Sequence, residues 1–323
     1  MNLSRRAALG ALLALPAGRV LAQAAAWPSR SISIIVPFTP GGAGDGVTRA
    51  VAQKAAAALG ASLVIENRPG GGTLVGSEVA ARAAPDGYTL LMISSALPST
   101  LALRRTASLK LEQFTPVTVM AEAPLALVVR PSLPVRSVQE LVTYAKAQPN
   151  KLTAATNGVG TTTHLMAAKL GIDAGFGVTD VPYPGSAQAW QDLIGGRIDM
   201  YFDAMQNVLP HVQAGHARLL ATTAAQRGSA SPDTPTMKEA GFPALVNSPW
   251  WGIAVPAGTP EAIVRRLEKV LVDAGQAPDV RSKLVAFGAN PVFNDRTEAA
   301  AFLKRDLAFW TSIVETANIR IQQ

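Results

Sequence analysis

The sequence predicts two α/β lobes, each a mainly parallel sheet flanked by helices, joined by two crossover strands. Three observations support this fold class. Short apolar runs alternate with helix-like segments of about ten to fifteen residues. The alternation restarts in the middle of the chain, and 323 residues exceed what one ordinary domain needs. This alternation is typical of βαβ units and parallel sheets.

The N-terminal segment resembles an export signal. Ser4 to Arg6 carry two positive charges, residues 7–15 are uncharged and apolar, and Ala22 and Ala24 are small residues suited to cleavage. The apolar run is much shorter than the ~20 residues that a membrane span needs. We therefore expect residues 1–24 to be removed after Ala22 or Ala24, by either the ordinary secretory or the twin-arginine route.

The composition excludes several classes of function. The net charge is +7 and falls to +4 without the three arginines of residues 1–22. The remaining basic residues are scattered, whereas nucleic-acid binding usually needs a concentrated basic surface. The chain contains no cysteine, so it has no disulfide, thiolate nucleophile or cysteine-bound metal. No later segment is apolar for the length of a membrane span, which favours a water-soluble mature protein.

The elements of the first lobe follow from these apolar runs. We predict strands at residues 31–36, 63–66 and 88–93 and helices at 47–59 and 75–84. The pattern of the second lobe then begins at residue 125. Its predicted strands are 125–130, 152–155, 178–181, 198–202 and 218–222, with helices between them, including 138–147. A third strand-like run, 250–255, is followed by helices at 260–274 and 297–317.

An arrangement in two lobes is the simplest explanation of this order of strands and helices. One lobe takes both ends of the chain, residues 27–125 and 250–323, and the other takes residues 126–249. The crossovers lie near 125–129 and 250–255. In doubly wound lobes, ligands bind outside the carboxyl ends of the strands, in the loops that lead into helices.

Two glycine-rich loops occupy such positions. The first is residues 37–45 and the second is residues 66–73. Glycines let backbone N–H groups approach a ligand closely, and a helix that begins there favours an anion. The first helix is expected to begin at about Asp45, which is also a candidate N-cap. Arg68 either pairs with the ligand or forms an ion pair with Glu66. No Lys-Ser/Thr pair follows the glycines, which argues against a phosphate loop.

Several motifs together resemble one known family. They are residues 37–45 and 66–76, PDGYTL at 85–90, GVGTTTHL at 158–165, VPYPGS at 181–186 with DLIGGRID at 192–199, and PDTPT with PAGTP between 232 and 260. In this order they are similar to the tripartite tricarboxylate transporter substrate-binding family, of the TctC/Bug type. The resemblance covers nearly the whole mature chain.

The resemblance implies a periplasmic-binding-protein fold of the two-lobed type (type II-like) that closes on its ligand. It also implies that the first two loops hold a ligand carboxylate, and that the second lobe and the third strand hold the far end. The implied contacts of the carboxylate are Phe38, Thr39, Gly42, Asp45, Gly70 and Gly72. The candidates at the far end are Asn157, Thr161 and Asp203, with Ser94 and Ser95.

The sequence also departs from the family pattern. Gly71 to Leu74 stand where the family more often continues Gly-Ala-Gly-Gly-Asn, so Leu74 replaces a polar side chain near the anion. Pro184 stands where a lysine is common. These changes leave the identity of the carboxylate open.

Other readings of single residues carry less weight. Gly158 and Gly160 invite comparison with the dinucleotide-binding fingerprint, but Thr163 stands in the place of its third glycine. The Gly-x-Ser-x-Gly elbow of a serine hydrolase does not occur. His211 and His216 are five residues apart, which does not make a same-face metal pair. His164 is expected to pack in the core or to face the cleft. Of Trp250 and Trp251, one is expected to touch the cleft and the other the core, because neighbours on a strand point to opposite faces.

The functional hypothesis is a periplasmic solute receptor, a monomer without cofactor or metal. It captures a small organic carboxylate and delivers it to the membrane subunits of a tripartite tricarboxylate-type permease. Two alternatives stay open. One is an exported receptor that signals to a sensor protein, and the other, less favoured, is an exported enzyme on a similar scaffold.

Overall fold

The computed structural model describes residues 27–104, 108–148, 152–158, 161–183, 185–228 and 231–316. The predicted signal sequence lies outside these residues, as do positions 159, 160 and 184 of the predicted motifs. Within the described part of the chain, no helix combines the length and the apolar character that crossing a bilayer requires.

The described elements alternate as the sequence predicts. The strands, in chain order, are β1 Ile32–Val36, β2 Leu63–Asn67, β3 Thr89–Ser94, β4 Phe114–Glu122, β5 Leu125–Val129, β6 Leu152–Thr156, β7 Val178–Pro182, β8 Met200–Ala204, β9 Arg218–Thr222, β10 Trp250–Pro256 and β11 Asn290–Pro291. The helices are α1 Ala43–Leu59, α2 Leu74–Ala81, α3 Ala96–Leu103, α4 Val138–Ala147, α5 Thr162–Ala174, α6 Ser186–Ile194, α7 Met205–Gln213, α8 Glu261–Gln276, α9 Pro278–Ala286 and α10 Arg296–Thr316.

The first lobe is built on a sheet of order β11-β4-β10-β3-β1-β2. Strand β1 pairs parallel with β2 and β3. Strand β10 pairs antiparallel with both β3 and β4, so β4 runs in the direction of β1 to β3. The carboxyl ends of β1, β2 and β3 therefore meet at one edge of the sheet, where the two glycine loops and α3 begin.

The second lobe is built on a sheet of order β7-β6-β8-β5-β9. Strand β6 pairs parallel with β7 and β8, and β5 pairs antiparallel with β8 and β9. The carboxyl ends of β6 and β8 carry the loops before α5 and α7. Four of the six strands of the first sheet and four of the five strands of the second run in one direction, so each sheet is mainly parallel and the predicted fold class is confirmed.

The chain passes between the sheets twice. The first passage is two residues long, from the end of β4 at Glu122 to the start of β5 at Leu125. The return lies between β9 and β10 and contains the short turn Pro243–Leu245. The residue numbers assigned to the two lobes stay a prediction.

Helices cover both faces of each sheet. Four of the five residues of β1 are buried because α1 and α8 pack on one face of the sheet and α2 on the other. A strand covered on both faces reads as a continuous apolar run, which is why ISIIV lacks alternation.

The last helix packs on both lobes. Ala299 and Leu303, near its start, lie in the core cluster of Ile93 and Trp250 in the first lobe. Trp310 and Ile313, one to two turns before its end, lie in the main core cluster of the second lobe. A helix of 21 residues spans about 30 Å, enough to bridge two packed lobes.

Candidate functional site

The first glycine loop leads from β1 into α1. Gly42 is the N-cap of this helix, with an extended backbone, and Ala43 is its first residue. The expectation that the helix begins at about Asp45 with that residue as N-cap is therefore wrong. The weak helix propensity of glycine at 42 and 44 hid the start in the sequence. The first N–H groups of a helix have no partner within it and can receive an anion.

Asp45 braces this loop from inside. Its carboxylate accepts from the backbone N–H of Gly41 at 3.0 Å, Arg49 Nε at 2.8 Å and Asn67 Nδ2 at 2.9 Å. Burial opposes ionisation, but these hydrogen bonds outweigh it and lower the pKa of Asp45 to about 2. The Asn67 amide also donates to the carbonyl of Phe38 at 2.9 Å, so it ties the first loop to the end of β2. Asn67 was not identified from the sequence.

The second loop has an unusual backbone. Gly70, Gly71, Gly72 and Thr73 have φ values of 132°, 59°, 67° and 85°, all in the region that favours glycine. The loop forms a short turn, Gly71–Thr73, before α2 begins. A β-branched residue at positive φ is a genuine outlier, and such strain concentrates at ligand sites. The Thr73 hydroxyl is also buried without a hydrogen-bond partner in the described residues.

Arg68 does not face the ligand region in this structure. Its guanidinium lies 3.3 Å from the carboxylate of Glu66, and Glu66 also accepts from the Ser33 hydroxyl. The ion-pair alternative therefore describes Arg68 here.

Helix α3 adds a wall that the sequence did not suggest. Ser94 ends β3 and Ser95 is the N-cap of α3. Both are buried beside β10, where the backbone N–H of Ser95 donates to the carbonyl of Trp250 at 3.2 Å. Thr100, one turn into the helix, donates its hydroxyl to the carbonyl of Gly72 at 2.7 Å. This contact fixes α3 against the second glycine loop.

The second lobe presents a polar network centred on Asp203. One carboxylate oxygen accepts from the backbone N–H of Ala204 at 2.8 Å and, at 3.2 Å each, from Ser186 and Asn207. The other accepts from Trp190 Nε1 at 2.8 Å. Burial raises the pKa of Asp203, and these donors lower it only in part.

Asn157 and Thr161 extend this wall. The side-chain oxygen of Asn157 accepts from the Tyr201 hydroxyl at 2.6 Å. Thr161 is the N-cap of α5 and donates its hydroxyl to the carbonyl of Gly158 at 2.7 Å. The wall is held together by internal hydrogen bonds, so its groups are preorganised.

A cavity of about 650 Å³ lies between these walls. Its volume suits a small ligand. Seven of the eleven predicted binding residues line it: Phe38, Thr39, Gly70, Gly72, Asn157, Thr161 and Asp203. Four do not belong to its lining: Gly42, Asp45, Ser94 and Ser95. Lining residues outside the predicted loops and candidates include Ser99, Thr100, Leu103, Arg104 and Ala204, and Thr73 of the second loop also lines the cavity.

The remaining candidates have structural partners. His164 Nε2 lies 3.2 Å from a carboxylate oxygen of Asp180, and its side chain is buried. His211 stacks on Trp190 with ring centroids 4.1 Å apart. Asp199 pairs with Arg130 at 2.9 Å. The described residues contain no group of three or more metal-ligating side chains close enough to hold an ion.

The two tryptophans of β10 point to opposite faces of the sheet, as expected for strand neighbours, but neither lines the described cavity, so the expected contact of one with the cleft is not found. Trp250 is fully buried in the core. Trp251 is partly exposed, and its indole lies against Gly44, where an added Cβ would come within 2.7 Å of two ring atoms. The aromatic ring that supports the first glycine loop is therefore Trp251.

Comparisons with known proteins agree with this geometry. Residues 47–319 match the sequence profile of the tripartite tricarboxylate transporter family receptor. Protein BugT of Bordetella pertussis is 33% identical over 326 residues, covering 100% of both chains. An R. palustris protein solved with adipate is 33% identical with a TM-score of 0.77, covering 91% of this chain and 99% of that one. MatC from Rhodopseudomonas palustris, solved with bound malate, is 30% identical with a TM-score of 0.74, covering 89% and 100%.

Two α/β lobes around a cavity lined by both lobes define the class of a two-lobed solute-binding protein of the periplasmic type. Within that class, the chain belongs to the tripartite tricarboxylate transporter receptor family, also known through its Bug members. The family consists of periplasmic solute-binding receptors, which are not enzymes.

Proposed function

We propose that this receptor captures one small organic carboxylate in the cavity between its lobes and delivers it to a tripartite tricarboxylate-type permease. The observation that supports this most strongly is that both glycine loops line one side of the cavity, the first through residues 37–39 and the second through residues 70–73, where α2 begins. Opening turns of helices attract anions through free N–H groups and the helix dipole. The adipate and malate held by the two solved relatives belong to the same chemical class.

The glycine loops of the first lobe are proposed to bind the carboxylate, and the second lobe to help select what is attached to it. The two loops offer mainly backbone groups, which cannot distinguish one carboxylate from another. The wall of the second lobe offers Asn157, Thr161 and Asp203, whose side chains can reject an unmatched group. Closure of the lobes would bury the ligand between both walls, as in other two-lobed receptors.

The site of action is proposed to be the periplasm after removal of residues 1–24. The family is periplasmic, and the start of the chain has the charge and apolar pattern of an export signal. Delivery to a permease is proposed from the role of the receptor family.

A thermal-shift screen of the mature protein tests the binding proposal. The panel holds mono-, di- and tricarboxylates, with nucleotides and sugars as controls. A ligand at about 100 times its Kd stabilises a fold by about 2.7 kcal/mol, which gives a readable rise in Tm. We expect carboxylates alone to raise the Tm, and the bound acid to be recovered unchanged. A shift with nucleotides or sugars and none with carboxylates would overturn the proposal.

Uptake tests the delivery proposal separately. Deleting the gene in its source organism is expected to abolish uptake of the labelled acid that raises the Tm. Wild-type protein is expected to restore that uptake. Uptake that continues unchanged without the receptor would contradict delivery while leaving the binding proposal intact.

A further inference from the structure

The cavity contains only two ionisable side chains in its described lining, Asp203 and Arg104. Asp203 is buried, and both of its oxygens already accept hydrogen bonds from the protein. Arg104 is exposed, and no ion pair joins it to a carboxylate among the described residues. The charge that the cavity can offer a ligand is therefore positive and resides on Arg104.

The position of Arg104 is fixed relative to the second glycine loop. Arg104 is the C-cap of α3, and its backbone N–H donates to the carbonyl of Thr100 at 2.8 Å. Thr100 in turn holds the carbonyl of Gly72 at 2.7 Å. Four helical residues rise about 6 Å, so the backbone of Arg104 lies about one turn from the loop.

We propose that Arg104 is a specificity-determining residue that holds a second anionic group of the ligand. This inference rests on the proposed function, in which the glycine loops hold the first carboxylate. A guanidinium binds a carboxylate through paired N–H groups, a geometry that a lysine cannot reproduce. The receptor then prefers an elongated dicarboxylate to a monocarboxylate of the same length.

Lys110 provides a matched control for this role. Arg104 also borders a neighbouring cavity of about 430 Å³ between α3 and α10, and Lys110 borders only that second cavity. Removing either residue changes the net charge of the same lobe by one unit. Only Arg104 lines the proposed ligand cavity, so a general electrostatic effect and a direct contact can be separated.

The experiment is calorimetric titration of the full mature protein with adipate and with hexanoate, which differ by one terminal carboxylate. In Arg104→Gln we expect adipate to bind about 10-fold or more weakly and hexanoate to bind as in wild type, since a charged hydrogen bond is lost. The adipate affinity of Arg104→Lys is expected to lie between those of wild type and Arg104→Gln. Lys110→Gln is expected to bind both acids as wild type does.

Several outcomes overturn the inference. Equal weakening of both acids in Arg104→Gln would place the residue in general binding or folding, and a melting curve of each variant checks the fold. An equal loss of adipate affinity in Lys110→Gln would reduce the effect to net charge. Wild-type binding of hexanoate as tight as that of adipate contradicts the inference alone. If wild type binds no carboxylate of the thermal-shift panel, the proposed function and the inference about Arg104 both fail.

Discussion

The indole Nε1 of Trp250 donates to Oδ2 of Asp306 at 2.8 Å, joining the first residue of β10 to the middle of α10. Asn247, on the return passage between the lobes, donates to Oδ1 of the same carboxylate at 3.0 Å. Asp306 is only 4% exposed. The return passage and the helix that packs on both lobes therefore meet at one buried carboxylate.

The first prediction concerns the pH dependence of this junction. Burial raises the pKa of Asp306 to about 6, and its hydrogen-bond donors lower it only in part. Its folded pKa exceeds its unfolded value near 4, so the native state binds the proton more tightly. The contribution of Asp306 to stability is fully present below about pH 4 and is lost as the pH rises through 6.

The variant Asp306→Asn removes this titration without changing the side-chain size. We expect the free energy of unfolding of wild type to fall by about 2 to 3 kcal/mol relative to the variant between pH 4 and pH 7. Denaturant titrations at several pH values measure the difference, in which all other titrating groups cancel. Parallel pH profiles for the two proteins would show that Asp306 does not titrate in this range.

The second prediction has the opposite sign and concerns Asp45. Its pKa is lowered to about 2, so the unfolded state binds the proton more tightly. The stabilisation is present above about pH 4 and is lost as the pH falls through 2. We expect Asp45→Asn to lower the free energy of unfolding by about 1 to 2 kcal/mol at pH 7. The loss is no larger because Arg49, the ion-pair partner of Asp45, is half exposed and its charge is screened by solvent.

The check is the pH dependence of that cost. The difference in unfolding free energy between wild type and Asp45→Asn is expected to shrink towards pH 2. A difference that stays constant from pH 7 to pH 2 would mean that the ionised carboxylate does not brace the first loop.

The third prediction separates backbone strain from the binding site at Gly72. Gly72 and Gly60 share a φ of 67°, but a Cβ at Gly72 would lie 2.7 Å from Thr100 Oγ1, whereas nothing lies within 4 Å at Gly60. We expect each alanine substitution to lower stability by about 1 kcal/mol or more, because alanine tolerates positive φ poorly. Only Gly72→Ala is expected to weaken carboxylate binding, by at least about tenfold.

Calorimetric titration and denaturant unfolding of both variants give the two quantities. If Gly60→Ala weakens binding as much as Gly72→Ala, the loss reflects general destabilisation. If neither variant changes the affinity, the second glycine loop does not contact the ligand.

The fourth prediction concerns the strain at Thr73. Holding a non-glycine residue at positive φ costs about 1 to 3 kcal/mol, and a substitution by glycine relieves this cost. Glycine also loses more backbone entropy on folding, which offsets up to about 1 kcal/mol of the gain. We expect Thr73→Gly to raise the free energy of unfolding by about 1 kcal/mol. The control Thr143→Gly, on the exposed face of α4, is expected to lower it by a similar amount.

Chemical denaturation of the two variants measures these opposite shifts. If Thr73→Gly were destabilised like the control, the left-handed backbone at Thr73 would be relaxed rather than strained.

Much of the fold followed from the sequence because buried strands are continuous apolar runs. The runs at 31–36, 63–66 and 218–222 match β1, β2 and β9 to within a residue. Strand β4 was not predicted, since Pro116 interrupts it. The structure accommodates this proline beside a register irregularity in the pairing with β10, a position that a sequence cannot reveal.

The site was predicted in part for a similar reason. Glycine runs mark the two loops directly, and the resemblance supplied the facing residues of the second lobe. Helix α3 was missed because Pro98 argues against a helix, although proline is tolerated in a first turn. Arg104 at its end lines the cavity, and Asn67 at the end of β2 supports the first loop, only through tertiary packing, so no local pattern marks them.

The most direct test of the central claim is a crystal structure of the mature protein grown with a saturating amount of the carboxylate that most raises its Tm. The account predicts one carboxylate group within hydrogen-bonding distance of backbone N–H groups of both glycine loops, residues 37–42 and 70–73, with the remainder facing Asn157, Thr161 and Asp203. Density for the acid outside this cavity, or held only by side chains away from both loops, would contradict it.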